Sequence, residues 1–384
     1  MKACLLLTLI VTFIGTASAQ WPPSAPVVPI SSNFSHWDHH WYIWLPRHPV
    51  YEAVEVMSMD TPGTPLRLVW VFFTERAGGK RQVNYVDNKE VAGARRIAPV
   101  TAHSIATINQ LAPGRTILGV GTGFTGRNTM GLPPVPLTTM RDYITMCRAL
   151  LRGEEVLYRE GARERRIRFL HQHHGYLNLK KQIPIYMAAN GPKALELTGE
   201  LCDGLFTTMA DPDAMKKNLA TVAQGTAKAG RGEQKLPVVM LATGCVLRPG
   251  ESAIAPRVVK RVGPFALVAL HALWERSAVA MDLPPALRDL YARYEKEYIP
   301  TMKTPKDRLY LEMHEGHLIY LRPGEEQFVT ESLVQDFSLT GSGEDIIARL
   351  KALEAAGVTQ VALQVVTEGG EMIEEFSREV IAKY

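Results

Sequence analysis

Three stretches of this chain carry residues whose types and order suit chemistry. The first is Thr116 to Pro134, TILGVGTGFTGRNTMGLPP, where an apolar run (Ile117, Leu118, Val120) opens into Gly119, Gly121, Gly123 and Gly126. Bare glycines let backbone N–H groups approach an anion, the hydroxyls of Thr122 and Thr125 add donors, and Arg127 adds charge. A tight turn that needs positive φ has the same composition, so this stretch alone fits both readings. The second is Ile185 to Leu195, IYMAANGPKAL. Here Asn190 or Gly191 suits a helix cap and Pro192 suits the first helical position. The N–H groups of that turn would face an anion, with Lys193 as counter-charge. An ordinary capped helix reads the same way, but two strand-to-helix ends of this kind in one parallel sheet fall on one rim. The third is His314-Glu315-Gly316-His317, where two histidines could line a substrate pocket or relay a proton, or simply sit at a helix end on the surface.

Other histidines are weaker candidates. His36, His39 and His40 are close together, but nothing nearby supplies the positioned carboxylate or thiolate partners of a specific site, and no metal is expected. His171, His173 and His174 belong to a basic excursion, Arg163 to His174, that reads as a solvated hairpin or loop without a chemical role.

The elements that must hold these stretches alternate. Beyond Gly93 the pattern predicts a helix over 97–111, a strand over 117–121, and a helix over 138–153 with Met140, Tyr143, Ile144, Cys147, Leu150 and Leu151 on one face. A strand over 183–189, a helix over 192–202, a strand over 204–207 and a helix over 212–229 follow, then one long strand over 237–246. A helical insertion spans about 251–308, and the chain closes with a helix over 343–356 stopped at Gly357, a strand over 360–366 and a helix over 371–383. Strands separated by amphipathic helices define an α/β protein with a parallel sheet. Ahead of this, Tyr51–Met57, Leu66–Phe73 and Arg81–Val86 are β-rich. Their short links, Asp60-Thr61-Pro62-Gly63 and Gly78-Gly79, suit an antiparallel meander over 50–92 rather than parallel strands with helical crossovers.

The first 19 residues have a basic start (Lys2), an apolar run from Ala3 to Ile14 and an Ala17-Ser18-Ala19 site, the parts of a secretory signal peptide. The run is too short for a comfortable membrane span, so an exported protein without a stable span is expected, with a cytoplasmic one as the alternative. Residues 20–49 read as a Pro/Ser/aromatic linker. Outside the signal, Cys147, Cys202 and Cys245 form an odd, widely spaced trio, neither a disulfide framework nor a metal set, which suits a reducing compartment. A net charge of +4, from 43 Lys and Arg against 39 Asp and Glu scattered along the chain, gives no reason to invoke nucleic acid.

From about residue 97 onward the chain resembles the luciferase-like monooxygenase superfamily, in its coenzyme F420-dependent oxidoreductase branch with methylenetetrahydromethanopterin reductase-like proteins. The resemblance rests on Thr107–Gly123 (TINQLAPGRTILGVGTG), Gly126–Pro134 (GRNTMGLPP), Arg148–Glu154 (RALLRGE), Ala188–Leu205 (AANGPKALELTGELCDGL) and Leu353–Val361 (LEAAGVTQV), in that order. It implies a TIM-type (β/α)8 barrel over 93–384 that binds a flavin-type cofactor at its C-terminal rim. Gly121, Thr122, Gly123, Thr125, Gly126, Arg127, Asn190, Gly191, Pro192 and Lys193 would hold the cofactor phosphate, and His314 and His317 would lie near the substrate. Matched onto the family, Ile117, Ile185, Leu205, Val238 and Val361 fall in barrel strands four to eight. Strands one to three have no recognisable counterpart, and no catalytic base is assigned. The implied activity is hydride transfer between reduced F420 and a small organic substrate. An FMN-dependent monooxygenase and a non-catalytic remodelled barrel with a β-rich binding module are the alternatives, and a homodimer is compatible with each.

Overall fold

The computed structural model describes residues 97–384, apart from 209, 233, 276–284 and 366, and the backbone of five N-terminal strands. The cleavage site after Ala19, residues 20–40 and 44–49 of the linker, and with them His36, His39 and His40, lie outside the described residues, as does the side chain of Thr125; residues 41–43, read as linker, are a strand instead. The N-terminal strands are β1 (Leu6–Val11), β2 (Trp41–Ile43), β3 (Tyr51–Ser58), β4 (Val69–Ala77) and β5 (Lys80–Asn84). β2 to β5 form an antiparallel sheet in sequence order.

The central sheet is parallel. Its strands after β5 are β6 (Leu118–Gly121), β9 (Ile185–Ala188), β10 (Gly204–Thr207), β11 (Val238–Ala242) and β14 (Gln360–Val365), lying side by side in that order, with β1 against β14 at the far edge. Helix α1 (Ala98–Leu111) leads into β6, and α3 (Leu137–Leu151), α4 (Pro192–Leu201), α5 (Pro212–Lys228) and α11 (Gly343–Ala356) return the chain between neighbouring strands, which is what a parallel order demands. The short α2 (Phe124–Asn128) follows β6, and an antiparallel hairpin of β7 (Val156–Glu160) and β8 (Arg163–Ile167) follows α3. That hairpin carries only the start of the basic excursion, 163–167, with most of its side chains exposed; His171, His173 and His174 follow it in an irregular segment and are exposed too.

Period-2 alternation sorts the strand residues between two faces. Ile185 and Met187 of β9 pack outward with Met140, Ile144 and Leu150 of α3, while Tyr186 joins Ile117, Val239 and Ala362 on the opposite face. There the Tyr186 and Phe206 rings lie 5.4 Å apart. A second outward layer joins Met240 and Leu363 to Met215 and Val222 of α5 and Leu350 and Leu353 of α11. Cys147, Cys202 and Cys245 are free thiols, fully buried. Burial pushes the Cys147 and Cys202 thiols up to about 12.

Helix ends follow their local chemistry. At the start of α11 the Ser342 hydroxyl and the Asp345 carboxylate cap each other's backbone, and Gly357 ends it at φ +113°. α4 and α5 meet at two glycines. A Cβ on Gly199 would lie 2.0 Å from the Val222 carbonyl, and one on Gly225 would lie 2.0 Å from the Glu196 carbonyl.

Three expectations change. The long strand over 237–246 is two strands: β11 ends at Ala242, and β12 (Gly244–Val246) pairs instead with β13 (Leu339–Gly341) in a separate parallel sheet. Gly244 permits the departure, since a Cβ there would lie 2.5 Å from the Leu339 carbonyl. The insertion holds α6 (Pro256–Ala266), α7 (Val268–Trp274) and α8 (Pro285–Glu297) but does not end at 308. Its core of Val258, Val262, Leu270 and Tyr294 also takes in Met313 of α9 (Leu309–Met313), Phe328, and Val334 of α10 (Glu331–Phe337).

The last helix, α12, runs Gly369–Phe376 and continues as a π-helical turn to Ile381. Its acids serve more than the helix dipole: Glu371 and Glu375 pair with the fully buried Arg261 side chain of α6, and Glu375 also pairs with Arg257. Among the described residues, no helix is long and apolar enough to cross a membrane.

Candidate functional site

Parallel pairing puts the two glycine-bearing strand ends side by side. Gly121 is the register partner of Ala188, and a Cβ on Gly121 would stand 3.3 Å from the Ala188 Cβ. The loops that follow, Thr122–Arg127 and Ala189–Lys193, therefore leave the same rim of the sheet.

The first loop turns at Gly123, whose φ of +95° favours glycine. A Cβ there would fall 2.6 Å from Arg127 Cδ, so the Arg127 side chain lies across a surface that only glycine leaves open. The Arg127 backbone N–H donates to the Gly123 carbonyl over 2.9 Å, its Nε donates to the Pro133 carbonyl, and the Val135 N–H donates to the Thr122 carbonyl over 2.7 Å. Gly126 sits in the helical turn, its carbonyl accepting the Thr129 hydroxyl. The loop is thus braced by its own backbone, with the arginine folded along it.

The second loop is held by Asn190. Its Oδ1 accepts the Thr207 hydroxyl at 2.8 Å and the Thr208 N–H at 3.3 Å, while its Nδ2 donates to the Thr208 hydroxyl at 3.2 Å. That ties the end of β9 to the end of β10 and leaves the next turn open. Gly191 caps α4 in extended geometry with Pro192 beginning the helix, and Gly191, Pro192 and Lys193 are all exposed. A Cβ on Gly191 would meet nothing within 4 Å.

His314 and His317 come from the insertion, and the structure places them differently from a surface pair. Their Nδ1 atoms lie 3.3 Å apart, His314 is buried, and the His314 Nε2 is bonded to the Glu275 carboxylate. The buried His271 of α7 joins them, its ring 5.5 Å from that of His314 and its Nε2 3.3 Å from the buried Glu325 carboxylate. Tyr294 donates to the same Glu325 oxygen over 3.0 Å; burial, then the Glu325 charge, pushes its phenol up and keeps it protonated. The cluster overlies the strand ends, since Gln364 near the end of β14 donates to the Leu318 carbonyl. It also touches the glycine loop, because the Asn128 amide donates to Glu275.

Sequence reasoning missed Asn128, His271, Glu275 and Glu325. His271 sits in the apolar run VALHALW, where a lone histidine reads as a core residue. Nothing local announces the carboxylates 39 residues before His314 and 54 residues beyond His271. A hollow of about 710 Å³ between α1 and residues 168–177 contains none of the rim residues.

A parallel sheet with returning helices, two adjoining glycine-bearing strand ends and a helical insertion over the rim together define the class, the α/β barrel enzymes of luciferase-like type. The family model described as luciferase-like monooxygenase matches residues 93–360, and the chain belongs to that family. The 5,10-methylenetetrahydromethanopterin reductase of Methanolobus tindarius is 27% identical over 361 residues, covering 90% of this chain and 93% of its own length. An F420-dependent glucose-6-phosphate dehydrogenase of Microbacterium testaceum is 28% identical over 268 residues, 66% of this chain and 74% of that protein. Among solved structures, the coenzyme F420-dependent tetrahydromethanopterin reductase of Methanopyrus kandleri superposes with a TM-score of 0.51 at 21% identity, over 76% of this chain and 80% of that one, and so shares its fold.

Proposed function

We propose that this protein is an F420-dependent oxidoreductase that transfers hydride between reduced F420 and a small organic substrate. The observation that carries the reading is the pairing of Gly121 with Ala188, which sets two glycine-lined, cation-bearing loops next to each other on one rim. These residues fit a phosphate-bearing cofactor. Gly123 keeps the first loop low, Gly191 leaves open space before α4, and Arg127 and Lys193 supply positive charge on either side. Asn190 would hold the second loop in place through Thr207 and Thr208, so little rearrangement would accompany binding. When bound, the deazaflavin ring supplies the redox chemistry, and the protein supplies orientation, charge and exclusion of water. The glucose-6-phosphate dehydrogenase named above is F420-dependent, which supports this cofactor over FMN.

The test is titration of the purified full-length chain with F420 and with FMN in separate fluorescence experiments. Saturable F420 binding is expected. Arg127→Ala and Lys193→Ala should each weaken it by about 1–3 kcal/mol per lost charged contact. Tighter FMN binding would move the reading to a monooxygenase, and binding of neither would leave a non-catalytic barrel. Unchanged affinity in both variants would mean the phosphate is held elsewhere.

Export and homodimer formation are part of the same proposal. Cleavage after Ala19 would remove β1, which pairs with β14, so the mass of the mature protein reports directly whether that strand is kept.

A further inference from the structure

We propose that His271, His314 and His317 form a binding site for a divalent transition-metal ion of the zinc class, buried inside the helical insertion. The proposal is independent of which cofactor the rim binds. One ring nitrogen of each histidine lies within 4.8 Å of the others. His314 Nδ1 and His317 Nδ1 are 3.3 Å apart, the edge length expected for two nitrogen donors on a tetrahedral ion with bonds of about 2.0–2.1 Å.

Ring orientation points the same way. A metal-bound histidine presents one nitrogen to the ion and gives its other N–H to a carboxylate, which selects the tautomer. His314 does this with Nε2 on Glu275, and His271 with Nε2 on Glu325. Both rings are thereby left with the Nδ1 lone pair to offer a metal, and that of His314 already faces the His317 Nδ1. His271 Nδ1 is buried and has no hydrogen-bond partner, an expensive arrangement unless a ligand completes it. Charge balance agrees. The Glu275 and Glu325 side chains are 9% and 2% exposed, and a divalent cation on three neutral imidazoles would offset both carboxylates in a region that water cannot screen.

The elements brought together are far apart in sequence: α7, the turn after α9 and, through Asn128, the glycine loop after β6. An ion here would fasten the insertion onto the rim. This gives His314 and His317 a part in fixing the architecture beside the cofactor loop.

The experiment uses full-length protein freed of metal by a chelator, dialysed and titrated with Co²⁺. One equivalent should produce the intense visible absorption of tetrahedral cobalt, Zn²⁺ should displace it, and either ion should raise the thermal midpoint. His36→Ala/His39→Ala/His40→Ala should keep the signal, which separates this site from the N-terminal histidines. His271→Ala should abolish it. Glu275→Gln, a milder change that keeps the shape, should weaken the ion's affinity by roughly 10–100-fold. If His271→Ala does not fold, the partly exposed His317→Gln takes its place with the same expected loss. Absence of tetrahedral cobalt absorption in the unaltered protein would overturn the site, as would absorption that survives loss of His271 or His317. The cluster would then be a hydrogen-bonded imidazole core.

Discussion

The Asn128 side-chain amide donates to the Glu275 carboxylate, and that bond joins the glycine loop after β6 to the histidine cluster of the insertion. Asn128 is itself 7% exposed, so the bond is made out of water's reach. Asn128→Ala should lower stability by about 1–2 kcal/mol, because Glu275 loses a donor while staying mostly buried. Asn128→Asp should cost more, since it sets two carboxylates against each other. Urea denaturation measures both, and equal stability of Ala and Asp variants would show that the contact is not made in solution.

Gly123 and Gly191 look alike in sequence but predict opposite outcomes. At Gly123, φ is +95° and a new Cβ would run into the Arg127 side chain. Gly123→Ala should therefore cost about 1–3 kcal/mol and weaken cofactor binding. At Gly191, φ is −86° and the space is empty, so Gly191→Ala should leave stability within about 0.5 kcal/mol of the parent. Thermal unfolding of the two variants side by side checks the contrast.

The helix pair α4 and α5 depends on Gly199 facing Val222 and Gly225 facing Glu196. Either glycine changed to alanine places a methyl against a backbone carbonyl, where no rotamer can relieve it. Each substitution should cost about 3 kcal/mol or more. Once one has separated the helices, the second should add less than its own full cost. Chemical denaturation of the single and double variants gives the coupling directly, and strict additivity would contradict a shared contact.

The ion-pair network between α6 and α12 predicts acid sensitivity. The Arg257 guanidinium beside Glu251 holds that carboxyl down at about 2, with the Arg248 backbone N–H adding to the effect. A carboxyl depressed in the folded state stabilises above its unfolded value, about 4.3, and that contribution fades as pH falls toward 2. Glu251→Gln should lower stability by about 1–3 kcal/mol at pH 7 and converge with the parent near pH 2. Denaturation midpoints measured from pH 7 downward should show the gap closing, and a constant gap would assign the loss to packing instead.

Local chemistry was enough to read much of this protein. Helix α11 declares its end through Gly357, because capping is settled within one turn of chain. The strand order of the parallel sheet came only from the family resemblance, while the parallel sheet itself follows from strands alternating with amphipathic helices, a local pattern. The two candidate phosphate loops were legible for the same reason: glycine, proline and a cation at a strand end are local signals.

What the chain could not declare locally were relations across distance. Gly244 reads like any strand glycine until Leu339 is packed against it, and the turn of β12 away from β11 depends on that contact. The acids of α12 look like dipole partners until Arg261 is buried among them. His271 is one more residue of an apolar helix until Glu325, His314 and His317 are folded around its ring. Periodicity and capping act between near neighbours and are written in the residues themselves. The histidine cluster exists only where tertiary packing brings together groups tens of residues apart and removes the water that would otherwise satisfy them.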